Sequence, residues 1–151
     1  METHSETLNR FLVEVFNEIL NTEETVLHAQ CPELSLREFH LIEEVCRTVD
    51  GEGDNRPTAI AAALQVTAGT LTASVTLLEK KGYLERRRDN QDRRAVRLYP
   101  TEKARWANEL HSRFHQGMVA EVLSVLTEEE AVIFVRALGA VSAFFRQKQH
   151  L

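Results

Sequence analysis

Residues 83–100 constrain the fold of this chain more than any other stretch. Two runs with strand-like alternation, Tyr83–Arg86 and Ala95–Tyr99, flank a polar turn, and the segment carries six arginines. A run so short, polar and basic is unsuited to the interior of a sheet, and reads as an exposed antiparallel hairpin. It follows directly on Gly82, a residue suited to the left-handed conformation that closes a helix. The fold must therefore be one in which a helix stops abruptly and hands over to a cationic hairpin.

Charge is segregated around that hairpin. Between Arg56 and Arg105 eleven Lys/Arg face five Asp/Glu, a local charge of +6, which leaves −11 for the rest of a 151-residue chain whose net charge is −5. A polyanion responds to the field within roughly a Debye length, about 8–10 Å, so a basic middle between acidic ends is a polarised binder despite the acidic total. At 43% hydrophobic residues and with six glycines and three prolines, the chain has the apolar content of one packed domain. There is no run of about 18 apolar residues, and the first residues are acidic, so neither a membrane span nor a signal peptide is expected and the location expected is cytoplasmic. Two cysteines, Cys31 and Cys46, do not make a disulfide framework.

Apolar periodicity places the helices. Leu8, Phe11, Leu12, Val15, Phe16, Ile19 and Leu20 recur at three- and four-residue spacing, predicting an amphipathic helix over the first ~25 residues that ends by Cys31-Pro32. Ser35 with Glu38 forms a capping-box pattern for a second helix through Phe39, Leu41, Ile42, Val45, Cys46 and Val49, broken by residues 50–55. Pro57 suits the first turn of a short helix to Leu64. Gln65-Val66-Thr67 forms a turn, and Thr67 caps a helix that runs to Lys81. Thr101 opens a long helix, and Thr127 followed by Glu128, Glu129 and Glu130 caps the last one.

The helix after Thr67 carries Leu71, Val75 and Leu78 on one face. Gly69, Ala73, Thr76 and Lys80 lie opposite, with Thr70 and Thr72 on the flanks. A small, polar face lets a helix approach base edges closely, and threonine can hydrogen-bond a base or touch a thymine methyl. Helix, tight turn, small-faced helix, glycine stop and basic hairpin stand in the order of a winged helix-turn-helix, which presents its second helix to the major groove. The expected fold is mainly α with a small β-hairpin wing, and the expected partner is double-stranded DNA. Candidate contacts are Thr67, Gly69, Thr70, Thr72, Ala73, Thr76, Lys80, Arg86, Arg88, Arg93 and Arg94. The first and last helices offer more apolar surface than a ~50-residue winged core can cover. A homodimer joined through residues 1–32 and 101–151, around a DNA-binding core at 33–100, is the expected arrangement of this single chain.

Residues 77–86 read Leu77-Leu78-Glu79-Lys80-Lys81-Gly82-Tyr83-Leu84-Glu85-Arg86 and are followed by Asp89-Asn90-Gln91-Asp92-Arg93-Arg94-Ala95. With these motifs the chain resembles the MarR family of winged-helix regulators over nearly all its length. Gln91, Pro100 and Ala104 depart from the family pattern, which favours arginine, leucine and glycine there. The resemblance implies that Asp92 and Arg94 brace the wing and that Arg93 at its tip meets the minor groove or a phosphate. Within the family, Glu38-Phe39-His40, Val66–Thr72, Gln91–Arg94 and Leu110–His115 resemble the FabT branch, repressors of fatty-acid synthesis genes. That implies a repressor with acyl-acyl carrier protein, or another small hydrophobic effector, as corepressor. The candidate effector pocket comprises Phe39, His40, Ile42, His111, Phe114, His115 and Met118.

Other readings of the same residues remain open. His111 and His115 share a helical face at i and i+4, and with Glu24, Cys31 and His40 they suggest the alternative of a zinc-responsive regulator of this family. Cys31 lies near acids and a proline and Cys46 on an apolar face, which favours packing over redox sensing. No glycine-rich phosphate loop, nucleophile elbow or metalloprotease helix is present, so neither enzymatic activity nor a resident cofactor is expected. A protein-interaction module without DNA function is the rival of another class.

Overall fold

A computed structural model describes residues 1–149. The chain forms α1 (His4–Arg10), a π-helical segment (Phe11–Val15), α2 (Phe16–Gln30), α3 (Leu36–Asp50), α4 (Pro57–Leu64), α5 (Ala68–Lys80), β1 (Leu84–Arg88), β2 (Val96–Pro100), α6 (Glu102–Ser124) and α7 (Glu128–Gln149). It divides into two compact units, Met1–Phe114 and a second beginning at His115.

The first helical run ends before Cys31-Pro32, as the sequence predicts, but is not uniform. A capping box that the sequence reading missed opens it: Glu6 N donates to Thr3 Oγ1 at 3.2 Å, and Thr3 N to Glu6 Oε2 at 2.7 Å. The π segment admits an extra residue per turn and so resets the stripe. Leu8 upstream and Phe11 and Leu12 within it stay exposed, whereas Glu23 and Leu27 downstream are buried. The run stops at Gln30, and Cys31, at φ −142° and ψ 79°, has left helical geometry ahead of Pro32.

Ser35 caps α3 as expected: its Oγ accepts from Glu38 N at 3.2 Å, and Glu38 Oε1 accepts from Ser35 N at 3.0 Å. Phe39, Leu41, Ile42, Val45 and Cys46 point inward and meet Ile60, Leu71, Val75, Leu78, Leu84, Leu98, Ala104 and Ala107 in one core. Each fully buried valine, leucine or isoleucine among them contributes about 1.5–3 kcal/mol by its removal from water. Pro57 opens α4, and Gln65 takes the left-handed conformation (φ 56°) that ends it. The axes of α4 and α5 meet at 110°, within the range of a helix-turn-helix.

Gly82, at φ +88°, turns the chain out of α5. The hairpin strands pair antiparallel from Leu84↔Pro100 to Arg88↔Val96, each displaced from its predicted start. Tyr83, expected in the first strand, precedes it and is fully buried. Its hydroxyl donates to Glu33 and lies 3.5 Å from Cys31 Sγ, while Lys103 Nζ sits 4.6 Å from the ring centroid. Buried Asn55 fastens the α3–α4 connection to the wing. Its carbonyl accepts from Leu98 N at 2.9 Å and its Nδ2 donates to Leu98 O at 2.7 Å.

In the second unit, Thr127 caps α7 through Glu130 N at 3.1 Å. None of the described residues of α7 is buried, and Val132, Ile133, Val135, Leu138, Phe144 and Phe145 are exposed. Among the described residues, no single helix is long and apolar enough to cross a membrane.

Candidate nucleic-acid interface

The buried stripe of α5, Leu71, Val75 and Leu78, fixes which side of the helix faces outward. Thr67, Gly69, Thr70, Thr72, Ala73, Thr76 and Lys80 are all exposed on the other side, as the sequence predicts. A Cβ built on Gly69 would meet nothing within 4 Å, so this part of the face is flush with the backbone. The threonines differ in what they offer. Thr72 Oγ1 donates to Ala68 O at 2.9 Å and Thr76 Oγ1 to Thr72 O at 2.9 Å. With their protons engaged, these two present methyl groups and acceptor lone pairs. Thr67 Oγ1 accepts from Thr70 N at 3.1 Å and donates to Thr70 Oγ1 at 3.0 Å, which leaves the Thr70 hydroxyl proton for an external acceptor.

The hairpin cations are not equivalent either. Arg86, a candidate DNA contact, is turned inward: Nη1 pairs with Glu79, and Nη2 donates to Thr76 Oγ1 at 3.2 Å and Thr72 O at 3.4 Å. It ties β1 to α5. Arg87 pairs with Glu85 at 2.8 Å and stacks 4.5 Å from the Tyr99 ring centroid. Arg97 bonds Asn55 Oδ1 at 2.9 Å and Asp89 at 3.3 Å. Asp89 also accepts from Gln91 N at 3.2 Å, and this backbone bond, followed by Arg97, holds its carboxyl below the usual range. Arg88 and Arg93 are exposed and have no ion-pair partner among the described residues. Arg94, expected to brace the wing with Asp92, is 98% exposed and only 4.0 Å from that carboxylate. The bracing bond is instead from Arg94 N to Asp92 Oδ1 at 3.0 Å. A charge already matched by an acid gains little from a phosphate, so Lys80, Arg88, Arg93 and Arg94 are the cations of this surface available to a polyanion.

The candidate effector residues lie in different settings. Phe39 and Ile42 are part of the core itself, Phe114 packs against it, and Met118 is a half-buried residue of α6 in the second unit. His111 is 1% exposed between two carboxylates: Nε2 is 2.6 Å from Glu23 Oε1 and Nδ1 is 2.7 Å from Glu43 Oε2. Burial opposes protonation of His111, but hydrogen bonds to Glu43 and Glu23 outweigh it and raise its pKa. His40 Nε2 lies 3.8 Å from the same Glu23 oxygen, and His115 follows His111 by one turn of α6. Among the proposed zinc ligands, Glu24 is corrected to Glu23: Glu24 is exposed, because adjacent helical residues diverge by 100°. Cys31 is buried beside Tyr83 rather than with the histidines. Burial pushes the Cys46 thiol up to about 11, against the accessible, electropositive setting of a redox sensor. Nothing in the local sequence marks Glu23, Glu43 or Tyr83, since each meets a partner at least 50 residues away.

A model of the MarR family matches residues 34–96, from just before α3 to the start of β2. The HTH-type transcriptional regulator YpoP of Bacillus subtilis (strain 168) is 34% identical over 95 residues, which cover 63% of this chain and 62% of that protein. The crystal structure of Streptococcus pneumoniae FabT in complex with DNA superposes with a TM-score of 0.84 and 35% identity, covering 95% of this chain and 98% of that one. A Staphylococcus aureus MepR–DNA complex, 20% identical with a TM-score of 0.71 over 95% of this chain and 96% of that one, shares the fold. The order of elements, the outward face of α5 and these similarities converge: the chain belongs to the MarR family and is a winged helix-turn-helix, DNA-binding transcription regulator.

Proposed function

We propose that this protein is a cytoplasmic homodimeric repressor that binds a pseudo-palindromic operator. The observation that carries it is the small, open face of α5 beside a hairpin whose Arg88 and Arg93 have no acidic partner among the described residues and whose Arg94 is 98% exposed. In this reading Gly69, Thr70, Thr72, Ala73 and Thr76 read bases, and the cations hold phosphates. Exposed Leu8, Phe11 and Leu12 in the first unit and Val132, Ile133 and Val135 in the second support pairing of two copies through residues 1–32 and 101–151. Two recognition helices one DNA turn apart then read the two half-sites. The likeness to FabT, with the motifs at Glu38–His40 and Leu110–His115, supports control of fatty-acid synthesis genes with acyl-acyl carrier protein as corepressor. Such an effector acts by binding one dimer geometry more tightly than the other.

A zinc-responsive regulator is the second reading, favoured by one observation. Buried Glu23 and His111 and half-exposed His40 converge from α2, α6 and α3 around one carboxylate oxygen, and imidazole and carboxylate are donors zinc accepts. Native mass spectrometry of the purified protein tests both. A dimer retaining or taking up an acyl species supports the first reading, a dimer binding zinc stoichiometrically supports the second, and a monomer at micromolar concentration overturns the homodimer.

A further inference from the structure

A groove of about 400 Å³ runs between α3 and the start of α5, lined by Arg37, His40, Leu41, Val66, Thr70 and Ser74 among others. Thr70, on the proposed base-reading face, and Arg37, in the first turn of α3, are both exposed and both line it. Arg37 is exposed and, unlike Arg56, Arg86, Arg87, Arg97 and Arg105, has no carboxylate partner among the described residues. The acids beside it in sequence do not compensate for it. Glu38 is buried on Lys81 at 3.0 Å, and Glu33 is held by Lys103 at 3.0 Å and by the Tyr83 hydroxyl. Those contacts, the Tyr83 hydroxyl first and Lys103 after it, keep the Glu33 carboxyl below its usual range.

We infer that the DNA surface extends beyond the recognition helix and wing to the start of α3, with Arg37 as a phosphate contact. The inference rests on the DNA-binding reading of α5. With α5 in the major groove, the sugar–phosphate strand bounding that groove passes beside Thr70, where the Arg37 guanidinium stands uncompensated. Arg37 shares its groove with Thr70 in the first turn of α5, whereas the wing meets α5 through Arg86 at Thr72, Thr76 and Glu79, so a phosphate on Arg37 adds an anchor near the start of the recognition helix. The contact carries no base information, because a phosphate is the same at every step.

The test is the salt dependence of binding to two unrelated 40-base-pair duplexes, measured by fluorescence anisotropy with the full-length protein and its R37Q, R37K and R113Q variants. Arg113 lies on α6 paired with Glu109 and serves as the control. R37Q is expected to weaken binding about five- to tenfold at 0.1 M salt, equally on both duplexes. It should also reduce the log–log salt slope by about one, while R37K keeps most of the affinity and R113Q keeps both quantities. A slope for R37Q equal to that of the folded wild type, with far-UV circular dichroism showing both intact, overturns the contact while leaving the α5 reading standing. Absence of salt-dependent binding by the wild type itself overturns the reading on which the contact rests.

Discussion

Gly69 stands in the first turn of α5 with open space where a side chain would begin. Within the folded chain nothing requires glycine there, and its backbone angles are helical. Gly69→Ala is therefore expected to raise stability by up to about 1 kcal/mol through helix propensity alone. If the helix lies against base edges, the added methyl also holds the backbone off the groove, and operator affinity falls about tenfold while thermal stability rises. Thermal melts paired with anisotropy titrations check this, and unchanged affinity would remove Gly69 from the interface. The exposed face was legible because it needs only helical periodicity. The inward turn of Arg86 was not, because in sequence Arg86, Arg87 and Arg88 are indistinguishable, and only the register of β1 against α5 decides which one reaches Glu79. Glu23 was missed for a related reason: a single helical step separates it from Glu24, and the π segment upstream shifts the stripe that would have told them apart.

Between elements, the Arg86 link from β1 to Glu79 and Thr76 acts on the recognition helix without facing outward. As a partly exposed ion pair it contributes only about 0.2–1 kcal/mol to stability. Its effect on binding has a sign that separates positioning from electrostatics. Glu79→Gln removes a negative charge near a polyanion, which by Coulomb's law alone strengthens binding. If Arg86 and Glu79 instead set the tilt of α5 against the wing, both Arg86→Gln and Glu79→Gln weaken operator binding several-fold. For Glu79→Gln the salt slope then stays within experimental error of wild type. Tighter binding by Glu79→Gln would assign Arg86 to phosphate, as the sequence alone suggests. At this scale the caps at Ser35, Thr67 and Thr127 and the stop at Gly82 were readable, because each is set by residues within one helical turn. The strand limits were not, since Tyr83 leaves the hairpin for a core contributed by α3 and the Glu33 loop.

For the whole molecule, segregation of charge into a basic middle was visible in the sequence and holds in space for the reading face. The distribution of apolar surface was visible only as an excess; α7 bears it openly, with Val135 63% and Ile133 60% exposed. A dimer that covers this surface imposes a fixed spacing on its target. Inserting five base pairs between operator half-sites rotates one by about half a turn, and is expected to reduce affinity toward the level of non-specific DNA, whereas inserting ten restores part of it. Equal loss for both insertions, read by gel shift at constant salt, would argue against two coupled reading heads. Asn55 bears on how such a pair is regulated. Bonded twice to Leu98 and once to Arg97, it stitches the α3–α4 connection onto β2, and so couples the hairpin to the helices it joins. In the regulator proposed above, an effector that leaves these bonds intact would work like a hand on a pair of callipers, changing the gap between two jaws whose own shape stays constant.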